Sequence, residues 1–137
     1  MRRGKPLKRR APLKRVRMRR RPVKRHWVDA RAKVDASGRC RGCGRDIETL
    51  RRMGRTLDAA HIIGREHDLR FENGERYVHP DSVFELCGPQ VNTGTCHNLY
   101  DGHQLNMWAA LTGAERKWVI GRIGEGQARR RVEGRPK

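Results

Sequence analysis

Apolar residues occur along this chain in short bursts whose spacing changes from helical to extended and back. Trp27, Val28, Ala30, Ala32 and Val34 suit a short helix over residues 27–36, with Gly38 placed as its C-terminal stop. Residues 45–55 are polar and ambiguous. Leu57 to Ile63 reads as a strand, and Leu69 to Val78 as a hairpin, because Asn73-Gly74 stands between extended flanks. Ser82 to Leu86 is a second candidate core strand, leading into Cys87. Thr93-Gly94-Thr95 marks a helix start, with Cys96, His97, Tyr100 and His103 on or near the first two turns. Thr112-x-x-Glu115 is a capping box that opens an amphipathic helix through Ile123, stopped by Gly124. Its face of Trp118, Val119, Ile120 and Ile123 reads as core. From Arg129 the chain is basic and expected to be loose. The pattern predicts a small α+β domain.

Composition narrows this picture. Only 35% of the 137 residues are hydrophobic and 5% aromatic, so the core must be small and gains from a staple such as a structural metal. Net charge is +18, and 14 of the 33 Lys and Arg residues fall in residues 1–25, which hold no acid. That stretch repeats Pro6-Leu7-Lys8-Arg9, Pro12-Leu13-Lys14-Arg15 and Pro22-Val23-Lys24-Arg25. Its prolines and like charges predict an arm, residues 1–26, that is disordered when free. A polyanion accounts for such a block, because each neutralised phosphate releases counterions. Arg9, Arg15, Lys24 and Arg25 are therefore candidate nucleic-acid contacts, and a solubilising or localisation tail is the alternative. No apolar run is long enough to span a bilayer or resembles a signal-peptide core, so a cytoplasmic protein with no membrane partner is expected.

The cysteines are the strongest chemical signal. Cys40-x-x-Cys43 lies on a glycine-rich turn, and Cys87 and Cys96 follow after a long insert. Two such pairs suit a closed tetrahedral zinc site, with disulfides or free thiols as the alternative. A zinc with four cysteine ligands has no open position for activating water.

With Cys40-x-x-Cys43, Ala60-His61-Ile62-Ile63, Leu86-Cys87 and Cys96-His97 in this order, residues 27–107 resemble the HNH endonucleases whose ββα-metal core is stapled by zinc. The basic repeats ahead of that core look like small phage-encoded members, and residues 108–137 form a C-terminal helix and tail outside it. The resemblance implies DNA as partner, and phage packaging or genome-processing proteins as further partners, in a host cytoplasm if phage-encoded. It also implies metal-dependent hydrolysis leaving a 5′-phosphate and a 3′-hydroxyl. His61 would be the general base, and His97 would hold a catalytic Mg2+ or Mn2+.

Taken singly, a histidine beside Ile62 and Ile63 is more often a core residue than a base, and His97 could be a fifth group around the zinc. Two positions depart from the family. Ala60 stands where an Asp or His ligand usually precedes the base, and Ser82 stands for the Asn that ties the loop carrying the base. Asp101 and His103 are the candidates to complete the catalytic ion's ligands. Asp58 ranks below them, since strict alternation puts it on the strand face opposite His61. Arg65 could clamp a phosphate. The rival reading is a zinc-stapled module that binds DNA or RNA without cutting it.

Overall fold

The computed structural model describes residues 24–135. Most of the expected basic arm, including Arg9 and Arg15, lies outside them. Its last residues belong to the fold. Arg25–Trp27 form a 3-10 turn that runs into α1, and the Val78 N–H donates to the His26 carbonyl at 3.0 Å.

Helix α1 (Val28–Ser37) buries Ala30 and Val34 and ends at Gly38, whose left-handed φ of 65° lets its N–H reach the Val34 carbonyl. The aperiodic stretch after it holds a short helix, α2 (Ile47–Arg52). Local capping starts it, with the Asp46 carboxylate accepting from the Thr49 N–H at 2.9 Å, and Leu50 anchors it in the core. Strand β1 (Thr56–His61) comes next. The hairpin of β2 (Leu69–Arg70) and β3 (Arg76–Tyr77) turns at Asn73-Gly74 as expected. Strand β4 (Val83–Gly88) pairs antiparallel with β1, aligning Thr56 with Gly88, Asp58 with Leu86 and His61 with Val83. Ser82 falls just before it, in a 3-10 turn with Pro80 and Asp81.

Helix α3 (Cys96–Asp101) starts at Thr95, whose hydroxyl accepts from the Asn98 N–H. It packs on β4 through Tyr100, which is fully buried with its ring 5.0 Å from Phe84. The Tyr100 hydroxyl donates to the Ile62 carbonyl at 2.5 Å, fixing α3 against the end of β1. Helix α4 (Gly113–Ile123) has both halves of the capping box at Thr112 and Glu115.

The expected loose end is instead a helix, α5 (Glu125–Glu133). Gly124 ends α4 and starts α5, Ala128 and Val132 are fully buried, and the Met107 N–H donates to the Val132 carbonyl. Two apolar residues four apart suffice for this on an otherwise charged segment, because they form one stripe against an existing core. The described domain is thus α+β, with a main core under the β1–β4 pair, a small second cluster of Ala30, Val78 and Val83, and four cysteines gathered at the edge of the main core. No described helix is long and apolar enough to cross a membrane.

Candidate functional site

The cysteine cluster forms where three chain segments meet. The knuckle after α1 contributes Cys40 and Cys43, β4 contributes Cys87, and the first residue of α3 is Cys96. Their four sulfurs all lie within 4.8 Å of one another. A tetrahedral zinc with bonds of 2.3 Å would set sulfurs about 3.8 Å apart, so this donor set fits such an ion. Backbone N–H groups of Gly42, Cys43 and Cys87 point at Cys40 Sγ at 3.2–3.4 Å. With the Cys96 thiol as the largest influence and those amides beside it, the Cys40 pKa falls to about 4. The same contact pushes the Cys96 pKa up, burial does so for Cys87, and the repulsion of neighbouring thiolates raises both. Four sulfurs this close could share one cation, which would hold all of them as thiolates. A Cβ at Gly42 would stand 2.8 Å from Cys96 Sγ, so any larger residue there must displace that sulfur from the cluster.

His61 closes β1, and its ring meets two neighbours. The edge of Trp27 packs against it with centroids 5.2 Å apart, and Nε2 lies 3.1 Å from both carboxylate oxygens of Asp68. Asp68 is buried and is also 3.3 Å from Arg76 Nε. A carboxylate on Nε2 keeps the proton there and leaves the Nδ1 lone pair free. Burial lowers the His61 pKa below the ordinary histidine value. Asp68 pulls it back up, and the charges of Arg76 and Arg65 press it further down. Nothing in the local sequence marks Asp68 as the partner, because the pairing depends on how the turn after β1 folds back.

His97, on the first turn of α3, reaches Asp58 of β1, with Nδ1 2.7 Å from Oδ2. Asp58 also accepts from the Thr56 hydroxyl at 2.6 Å. Burial alone would raise its pKa, but these hydrogen bonds and the charges of His97 and Arg31 bring it below the usual carboxylate range. Alternation had ranked Asp58 low. The strand instead buries Leu57 and Ala60, three apart, and leaves Asp58, Ala59 and His61 all partly open. The pairing of β1 with β4 is nonetheless unbroken, and Asp58 enters the site through its contact with His97 of α3. The Asp58 carboxylate lies directly over Gly88, where a Cβ would stand 1.9 Å from Oδ2.

The other candidates separate in space. Asp101 takes the opposite edge of the His97 ring, with Oδ2 3.5 Å from Nε2, and is held by Gln90 at 3.1 Å and Arg131 at 3.5 Å. It orients His97 and does not share the Nδ1 side with Asp58. His103, expected as a further ligand on α3, follows the end of that helix at Gly102 and contacts Arg131 instead. The Ser82 hydroxyl donates to the His79 carbonyl at 2.7 Å, so it does not tie down the loop after His61. The Ser82 backbone carbonyl does that, accepting from the Ile62 N–H at 2.9 Å. Arg65 sits on the 3-10 turn beyond β1, near enough for its charge to act on His61. Arg25 stacks over Phe71 at 4.5 Å.

An open cavity of about 350 Å3 lies over Asp58, Ala59 and His97, walled by Lys24, Trp27 and Arg31. Trp27 thereby touches both histidine sites, which β1 spaces three residues, or about 10 Å, apart. An octahedral Mg2+ with ligands at about 2.1 Å separates adjacent donors by about 3 Å, so Asp58 Oδ2 and His97 Nδ1 fit one edge of such an ion.

Comparison with protein-family models, with curated proteins and with solved structures finds no match to this chain.

Proposed function

We propose that this protein is a zinc-stapled, metal-dependent DNA endonuclease of the HNH type. The order of two antiparallel strands followed by a helix that carries His97 is the order of a ββα-metal core. The observation that carries the reading is a pair of histidines each held by its own carboxylate, Asp68 on His61, which packs on Trp27, and Asp58 on His97, which shares a cavity wall with Trp27.

In this reading Asp68 holds the Nε2 proton of His61, and Nδ1 accepts a proton from the attacking water. Water attacks phosphorus, the P–O3′ bond breaks, the departing O3′ takes a proton from solvent water to become the 3′-hydroxyl, and the phosphate remains on the 5′ end. Lys24 on the cavity wall would hold a phosphate oxygen, while Arg31 beside it is already bonded to Asp35 and the Leu57 carbonyl and adds its charge. Asp58 and His97 would hold Mg2+ or Mn2+, which offsets the charge developing on the phosphate and the leaving oxygen. Asp101 keeps the His97 ring turned so that Nδ1 faces the cavity. Zinc in the cysteine cluster sets the position of α3 and therefore of His97.

The test is cleavage of supercoiled plasmid with Mg2+ or Mn2+ by the wild type beside His61→Ala, with plasmid binding measured in parallel. Cleavage by the wild type alone, with equal binding by both, is the expected result. Equal cleavage by both proteins would move the chemistry away from His61. A second reading, a binding module that does not cut, is favoured by the buried Ala60 and by the Ser82 hydroxyl being engaged elsewhere. Binding without cleavage in either protein would establish it.

A further inference from the structure

Where the chain leaves α3 and meets the end of α5 lies a second pocket of about 540 Å3, lined by His103, Arg130, Arg131, Glu133, Gly134 and Arg135. Its construction is specific. His103 is the one non-glycine residue with positive φ among those described, at 61°. Such a backbone persists where the surroundings hold it. Here the end of α5 does so. The Arg135 N–H donates to the His103 carbonyl at 2.6 Å, and Gly134 approaches so closely that a Cβ would stand 2.8 Å from that oxygen. A histidine and three arginines are thereby set around one hollow.

The charges in it are unevenly matched. Glu133 is taken by Arg129 at 2.8 Å, and Arg131 leans on Asp101 at 3.5 Å. Among the described residues, Arg130 and Arg135 make no ion pair, and both are exposed. Guanidinium groups gathered this way fit the oxygens of a phosphate, which accepts two parallel N–H bonds from each. The pocket is also tied to the candidate centre through Arg131, Asp101 and His97. Along the chain, His103 follows His97 by six residues and stands just past Gly102, where α3 ends.

We infer that this pocket is a second phosphate site, which grips the DNA backbone a few nucleotides from the bond placed at His97. Its ligand is a backbone phosphodiester, and its work is to fix the strand's register relative to His61 and His97. The identity of that ligand as DNA rests on the endonuclease reading, whereas the pocket itself does not.

The experiment compares full-length wild type with the double variant Arg130→Ala/Arg135→Ala and with Arg51→Ala/Arg52→Ala, an equal charge change on exposed positions of α2. Affinity for a short labelled DNA duplex is read by fluorescence anisotropy across a salt series, without added Mg2+ or Mn2+. The pocket variant should bind about 10-fold more weakly near 0.15 M salt, with a salt slope shallower by about one. The α2 variant should lose about 2-fold or less from its general charge. Equal losses in the two variants, or no loss in the pocket variant, would overturn the proposal. His103→Asn, which tolerates the left-handed backbone, should weaken binding without lowering the melting temperature, and unchanged affinity would count against the pocket. Plasmid cleavage is scored on the same wild-type preparation. Its absence would remove the endonuclease reading, while the binding comparison still decides the pocket.

Discussion

Two residues with ordinary local sequence have consequences that come from what lies across from them. Gly88 sits opposite Thr56 in the β1–β4 register, and the Asp58 carboxylate occupies the space above it. Gly88→Ala must push that carboxylate off His97 or part the strands. The expected outcome is a loss of plasmid cleavage of at least about 10-fold together with about 1–3 kcal/mol of stability, checked by chemical denaturation. For His61 the sign follows from its depressed pKa. As the proposed general base His61 would work when neutral, so cleavage should be flat above the ordinary histidine range near pH 6.5 and fall only at more acid pH. Asp68→Asn removes the charge that raises this pKa. The acid limb should then move to lower pH while the plateau drops about 10- to 100-fold. A drop without any movement of the limb would assign Asp68 a purely structural part. His61 and His97 were legible from their motifs, whereas the carboxylates that hold them were not, since Asp68 and Asp58 are chosen by a chain reversal and a cross-strand contact.

Among the elements, α4 is joined to the rest through Glu115. The sequence shows this residue as the far half of a capping box, and it is that. It is also fully buried and accepts from Lys33 of α1 at 2.5 Å and from Arg41 of the cysteine knuckle at 2.6 and 2.9 Å. Arg41 bonds Glu85 of β4 as well, and Lys33 reaches the Pro80 and Val83 carbonyls at 2.7 Å. Burial alone would raise the Glu115 pKa. The hydrogen bonds from Arg41, Lys33 and the Thr112 N–H outweigh it and hold the pKa below the usual value. A depressed carboxylate stabilises the fold fully above its unfolded pKa, near 4.3, and that stability is lost as pH falls through the folded value. Glu115→Gln should therefore lower stability by about 3–5 kcal/mol at pH 7 and flatten the acid side of the stability profile. Thermal melts of both proteins from pH 7 down to acid check both parts. Helix α5 shows the same limit of sequence pattern. Its charged residues read as tail, and only the core beneath Ala128 and Val132 makes it a helix.

For the whole molecule, the cysteine cluster is where α1's knuckle, β4 and α3 are held to one point. With so small a core, a zinc bound there would staple the fold. The purified protein should carry one zinc per chain by elemental mass spectrometry. Stripping it with a strong chelator should lower the melting temperature by 10 °C or more, roughly, with recovery on adding zinc back. A metal-free protein with an unchanged melt would refute the staple. The order of the main strands and helices, their caps and stops, the cysteine frame and the two histidines were all determined by the chain itself. Each rests on contacts within a few residues or on the chemistry of one side chain. Which carboxylate serves which histidine, the burial of Glu115, the ordering of α5 and the pocket closed by Gly134 over His103 were decided by tertiary structure. Those depend on pairs of residues 7 to 82 positions apart, whose meeting is set by packing and leaves no local period to read.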